Sequence, residues 1–274
     1  MSGVAGTLGG MGIKLQVVGG GKMGQALVGG MIDANWAKAS ELAVVEVVPE
    51  QRDQLVESLT GAAVVDQPLD EEGIDTLIAV KPHLVAEVCA GLNGPGRVIS
   101  IAAGITIATI ENALPPGTPV IRVMPNTPAL VGAGVSGLAP GTSASDDDLE
   151  WAVDVLGAVG RAVVVTESQL DTVTGVSGSG PAYIFLVAEA LTDAGVRHGL
   201  PRPVAAALAA NTIYGAGKMM VETGTDPVEL RAAVTTPAGT TAAGLAALED
   251  HGLRAAFAEA VGAATRRSIE LGLA

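Results

Sequence analysis

Aromatic side chains are nearly absent: two Trp, two Tyr and two Phe in 274 residues. So few rings leave no stacking platform for single-stranded nucleic acid. Basic residues are scarce as well, 15 Lys and Arg against 29 Asp and Glu, for a net charge of −14. Binding to a phosphate backbone draws on clustered cations, so no nucleic acid is expected as a partner. The single cysteine, Cys89, excludes an intramolecular disulfide framework and fits a reducing compartment. The three histidines, His83, His198 and His251, lie far apart without H-x-x-x-H or C-x-x-C companions, and no metal site is expected. Chemistry is therefore expected to belong to an organic cofactor, with the protein supplying position and electrostatics.

Long uninterrupted apolar runs are missing too. The longest stretch free of charged residues, 123–145, is broken by Pro125, Pro128, Pro140 and four glycines. A membrane-spanning helix must satisfy its backbone internally, so this stretch reads as loops and short strands, with no membrane partner. Residues 1–12 carry no basic region, and the first lysine is Lys14. They are expected to form a flexible Gly-rich tail, not a secretory signal, with Met11 as an alternative start. Together these absences predict a cytoplasmic protein.

Small and aliphatic residues take up the space, with 37 glycines and an apolar fraction of 49%. That is ample material for a core and incompatible with a wholly disordered chain. Up to residue 166, β-branched runs alternate with helix-like segments. Strands are expected at 14–18, 42–48, 76–80, 97–101, 120–124 and 161–166, with helices at 23–34, 50–59, 82–92, 105–113 and 146–156. Continuous apolar strands alternating with helices predict a parallel sheet covered on both faces, an α/β Rossmann-type domain over 13–166. After residue 166 the strands stop. Helical spacing marks 181–198, 203–221, 226–234, 240–249 and 253–271, and Pro181 and Pro203 sit in first turns, where a missing N–H costs little. The region 167–274 is expected to be an all-α domain that also forms a subunit interface.

The first strand runs into Gly19-Gly20-Gly21-Lys22-Met23-Gly24 and then a helix. This is G-x-G-x-x-G in the context it requires. Gly19 permits the tight turn, Gly21 lets the backbone approach a pyrophosphate, Gly24 lets helix and strand pack, and the helix start faces the anion. Glu46, at the end of the second strand, lies about twenty residues beyond the glycines, where an acidic residue bonds the ribose 2′-hydroxyl of NAD. Val47 and Val48 stand where a 2′-phosphate would prefer Arg or Ser, and Arg52 is an alternative phosphate partner. The choice between NADH and NADPH stays open. Val80, Lys81 and Pro82 lie at the end of the strand expected over 76–80, and Asn126 ends another between Pro125 and Pro128. Ligands of such sheets bind at the carboxyl ends of strands, which places these residues at the cofactor's edge.

In the helical half, Gly175-Val176-Ser177-Gly178-Ser179-Gly180-Pro181-Ala182-Tyr183 opens a long helix, and Ser179 is expected to cap it. Thr235-Thr236-Pro237-Ala238-Gly239-Thr240-Thr241 precedes another. Hydroxyls and free N–H groups at a helix start suit a carboxylate, though two ordinary capped helices account for these segments equally well.

Taken with Ala79-Val80-Lys81-Pro82 and Arg122-Val123-Met124-Pro125-Asn126-Thr127-Pro128, these segments resemble the pyrroline-5-carboxylate reductase family, from about Ile13 onward. The resemblance implies a 6-phosphogluconate dehydrogenase-like plan and reduction of 1-pyrroline-5-carboxylate to L-proline by NADPH or NADH. It also implies a homodimer as the minimal unit and a decamer of five dimers. By position, Thr236, Ala238, Gly239, Thr240 and Thr241 would hold the cyclic imino acid, with Ser179 beside them. Thr236 and backbone N–H groups would take the carboxylate, and Thr241 would hydrogen-bond the imine nitrogen. The family usually has Ser where Thr236 stands and Gly at Ala238. A 6-phosphogluconate-type dehydrogenase would need a lysine acid/base from the helical half, for which Lys218 is the candidate.

Overall fold

The computed structural model describes residues 12–272, so the expected tail, apart from Gly12, lies outside the described residues. Eight strands form one sheet: β1 (Leu15–Val18), β2 (Leu42–Val45), β3 (Ala63–Val65), β4 (Thr76–Ile78), β5 (Val98–Ser100), β6 (Val120–Met124), β7 (Gly134–Pro140) and β8 (Gly160–Val164). Their order is β3-β2-β1-β4-β5-β6-β7-β8. The strands from β3 to β6 are parallel, β7 runs antiparallel to β6, and β8 is parallel to β7. The sheet is thus Rossmann-like, with an added antiparallel turn at one edge.

Alternation of side chains along each strand sets the two faces. Val44, Val17, Leu77, Ile99 and Ile121 are register partners across five strands and line one face. They are essentially inaccessible, and they pack with Leu27, Val28 and Met31 of α1 (Lys22–Asp33) and Val155 and Leu156 of α5 (Asp146–Gly157). On the other face Ile78, Val98 and Val120 meet Val85 and Cys89 of α3 (Val85–Ala90) and Ile110 of α4 (Ile107–Ala113). Burying such side chains contributes roughly 1.5–3 kcal/mol each. The remaining helix of this half, α2 (Pro49–Ser58), starts with its proline in the first turn. Start signals are plain in α5: Ser145 and Asp148 cap each other reciprocally, and Asp146, Asp147 and Asp148 meet the positive end of the helix dipole.

Beyond the sheet the chain is helical: α6 (Leu170–Val173), a π-turn (Thr174–Gly178), α7 (Gly180–Arg197), α8 (Arg202–Thr223), α9 (Pro227–Ala233), α10 (Thr240–Asp250) and α11 (Leu253–Gly272). The compact units do not divide at residue 166. One unit runs up to Gly178 and takes in the chain from Ala264, and the other is Ser179–Ala263. Within the first unit, the end of α11 is tied back by Ser268 Oγ donating to Asp171 Oδ1 at 2.6 Å. Within the second, α7 and α8 pack closely where Gly195 meets Ala205, and they leave Ile184, Phe185, Leu186, Leu208 and Val221 exposed. No helix among the described residues is long and apolar enough to cross a membrane.

Two strands escape the sequence pattern. Strand β3 is only three residues and half-buried, too short for a period to show. Strand β7 carries two glycines and ends in proline, in the stretch expected to hold loops and short strands. The segment 82–92 is a 3-10 turn (Pro82–Leu84) followed by the short α3, not one helix.

Burial between α3 and the sheet pushes the Cys89 thiol up to about 11, the backbone hydrogen bond opposing this only in part. At pH 8 about one thiol in a thousand is then ionised, and only the thiolate attacks. Ellman's reagent is expected to leave native Cys89 untouched at pH 8 and to label it along the urea unfolding curve; fast labelling without urea contradicts this burial.

Candidate active site

The parallel strands bring the expected dinucleotide residues to one edge of the sheet. Gly19–Gly24 follow β1, Glu46 follows β2, Val80, Lys81 and Pro82 follow β4, and Asn126 follows β6. Gly19 has φ +112°, and a Cβ there would lie 2.6 Å from the Ala79 carbonyl oxygen. A Cβ on Gly24 would collide with the Gly19 carbonyl. Both positions need glycine for the protein's own packing. Gly21 differs: its backbone is extended (φ −68°, ψ 177°), and a Cβ would meet nothing within 4 Å. It is the N-cap of α1, makes no side-chain cap and has no acidic residue in the turn that follows. The first N–H groups of α1, from exposed Lys22 and half-buried Met23, are therefore left without a side-chain cap. An anion fits there, and the glycine cradle fits a dinucleotide pyrophosphate.

Glu46 is buried beside this loop. Its Oε2 accepts the Gly20 N–H at 3.1 Å and its Oε1 accepts the Val48 N–H at 3.0 Å. Arg52 Nη1 donates to the carbonyls of Glu46 at 2.9 Å and Val47 at 3.0 Å. Val80 is half-buried, while Lys81 and Pro82 are exposed at the start of the 3-10 turn. Asn126 is buried with both ends of its amide engaged: Oδ1 accepts the Val135 N–H at 2.9 Å, and Nδ2 donates to the Ser177 carbonyl at 3.2 Å. Its role on this geometry is to hold the loop between its two prolines.

The remaining candidates lie in the helical unit. Residues 236–239 make a turn closed by the Gly239 N–H on the Thr236 carbonyl at 3.0 Å. A Cβ on Gly239 would collide with Thr236 Oγ1 unless that hydroxyl swung aside. It is the N-cap of α10 and supplies no side-chain cap, so the N–H groups of Thr240 and Thr241 are free of side-chain partners. Thr236, Ala238 and Thr240 are exposed, and Thr241 is half-buried. Ala238 stands at φ +57°, in the left-handed region that favours glycine. Ser179 corrects an expectation: it sits in helical conformation and makes no side-chain cap on α7. The π-turn ahead of it reshapes the chain, with Ser177 Oγ bonding back to the Val173 carbonyl at 3.0 Å. Such a turn is invisible to a pattern that looks only for caps. Lys218 is half exposed and pairs with Glu222 at 3.6 Å. Among the described residues no cluster of three His, Cys, Asp or Glu has metal-binding geometry.

The family described as pyrroline-5-carboxylate reductase dimerisation matches residues 167–271, and the one described as NADP oxidoreductase coenzyme F420-dependent matches 14–104. The pyrroline-5-carboxylate reductase of Methanosarcina acetivorans is 45% identical over 94% of this chain and 98% of its own.

The chain belongs to the pyrroline-5-carboxylate reductase family.

The Escherichia coli enzyme of that name is 35% identical over 94% of this chain and 98% of its own. Among solved structures, pyrroline-5-carboxylate reductase of Coxiella burnetii superposes with a TM-score of 0.88 at 34% identity, covering 95% of this chain and 98% of its own. The Plasmodium falciparum pyrroline carboxylate reductase, solved with NADP bound, gives 0.79 at 29% identity over 95% and 98%. Relatives of this length put both the glycine loop and the 236–241 turn inside the shared region.

Two substitutions read out these geometries. Gly21→Ala is expected to fold normally, with a melting point within about 2 °C of the parent, yet to bind dinucleotide about tenfold more weakly or worse, since its methyl enters the phosphate approach. Calorimetric titration beside a melting curve checks both halves. Ala238→Gly relieves a left-handed alanine and is expected to add about 1 kcal/mol to stability in urea melts.

Proposed function

We propose that this chain reduces 1-pyrroline-5-carboxylate to L-proline, taking hydride from NADPH or NADH in the last step of proline biosynthesis. The observation that carries this reading is the uncapped start of α10, where free N–H groups stand next to the hydroxyls of Thr236 and Thr241 in a member of this reductase family. The reduced nicotinamide, when bound, supplies the hydride. The rest falls to the chain's own groups. The glycine loop and the first N–H groups of α1 hold the pyrophosphate. Glu46 lies beside that loop, and Val80, Lys81, Pro82 and Asn126 wall the same edge.

The substrate carboxylate is taken by Thr236 and by the backbone N–H groups of Thr240 and Thr241, where the helix dipole favours negative charge. Thr241 Oγ sits against the ring nitrogen. A protonated cyclic imine is already electrophilic at carbon, so a strong general acid is not needed. As the C=N bond accepts hydride, nitrogen regains a lone pair, and a neutral hydroxyl donor stabilises it. Ser179 lies at the start of α7 as a further polar group toward the substrate.

The minimal unit in this reading is a homodimer, with the 236–241 turn of one copy completing the site of its partner, and five dimers build a decamer. The dimerisation family matched over 167–271 and the apolar residues exposed on α7 and α8 support self-association through the helical half. A lone cysteine, buried and free, supports a cytoplasmic setting.

The test is a proline-forming assay run in parallel with NADH and NADPH; no turnover with either ends the proposal. Thr241→Ala is expected to lower kcat about tenfold or more, the loss of one hydrogen bond made in the transition state, with dinucleotide affinity unchanged. Collapse of cofactor binding instead would move Thr241 out of the substrate site.

A further inference from the structure

The carboxylate of Glu46 is held where the second strand ends, and both of its oxygens are fixed by backbone N–H groups. One of those N–H groups belongs to Gly20, inside the dinucleotide loop itself. The charge therefore cannot swing aside without giving up a hydrogen bond in the loop that cradles the pyrophosphate. Each oxygen keeps a second lone pair and can accept from a ribose hydroxyl. A phosphate ester in the same place has no proton to offer at neutral pH and brings a second negative charge against the first.

The two residues that follow Glu46 bring no cation to this spot. Val47 is 73% exposed and Val48 is 38% exposed, so the positions after Glu46 present apolar surface. Arg52 is the one basic side chain reaching this segment in the hydrogen bonds recorded among the described residues. Its Nη1 is turned back onto the carbonyls of Glu46 and Val47. Its charge thus holds the strand end together and fixes Glu46 from behind.

We propose that Glu46, locked by Gly20 and Val48 and backed by Arg52, reads a free ribose 2′-hydroxyl and rejects a 2′-phosphate, making NADH the preferred cofactor over NADPH. This deepens the dinucleotide half of the functional reading and does not depend on which imine is reduced. Direct binding tests it, without substrate: calorimetric titration of the full chain with NADH and with NADPH. NADH is expected to bind about tenfold more tightly or better. Equal affinity, or tighter NADPH, overturns the inference, even if the chain turns over pyrroline-5-carboxylate with both. Tighter NADH supports it, even if the imine assay fails.

Two variants assign the cause. Glu46→Gln keeps the size of the side chain and removes its charge, and the NADPH-to-NADH ratio of dissociation constants is expected to shrink several-fold through tighter NADPH. An unchanged ratio in a variant with a normal melting curve overturns the role of Glu46. Arg52→Ala is expected to weaken both cofactors alike. A selective loss of NADPH would make Arg52 a phosphate partner and overturn the inference by another route.

Discussion

How closely α1 approaches β1 governs the rest of the nucleotide edge. The Gly24 backbone lies against the Gly19 carbonyl with no room for a methyl group, and Gly19 in turn abuts the Ala79 carbonyl at the end of β4. Three elements meet through bare backbone at one point. Only from that spacing does the start of α1 stand over the strand ends with its N–H groups uncovered, and only then does the loop come within reach of the Glu46 carboxylate. Larger residues would push the helix off the sheet and misplace all of these groups at once. The glycine pattern is a packing requirement at two positions and an opening for a ligand at the third.

Much of this edge is legible in the chain because it depends on local order. Strand, glycine turn, helix, and an acidic residue at the next strand end follow one another within a few dozen residues, and each leaves a compositional mark. Strands β1, β2, β4, β5 and β6 are buried on both faces, so each is apolar but for at most one residue, which makes them easy to see. Strand β3, the glycine-bearing β7 and the border after Gly178 leave weaker marks, because tertiary contacts and not local propensity decide them. The same holds inside the candidate site. That Glu46 bonds Gly20, that Asn126 spends its amide on Val135 and Ser177, and that Ser179 fails to cap α7 are facts about partners distant in sequence or about backbone angles. Ala238 is intermediate: its departure from the family's glycine is visible in the chain, but its left-handed angle is visible only in three dimensions.

The net charge of −14 sets a problem for a protein proposed to hold two anionic groups. The structure answers with direction in place of total charge. Both proposed anion seats are helix starts without a side-chain cap, and neither α1 nor α10 has an acidic residue in its first turn. Within the first turn such dipoles dominate, while distant surface carboxylates are screened by salt. By contrast α5 fills its first turn with three aspartates.

The path of α11 bears on how the molecule is made. Its later part, from Ala264, belongs to the compact unit of the sheet, where Ser268 bonds Asp171 and the helix end lies against Gly104. During synthesis this segment emerges only after the whole of Ser179–Ala263 has left the ribosome. The last contacts of the sheet unit therefore form only after the segment 179–263 has been made. A gene fragment ending at Gly178 would leave Asp171 and Gly104 without these partners, and fusions or domain exchanges cut at that border would separate a single folding unit.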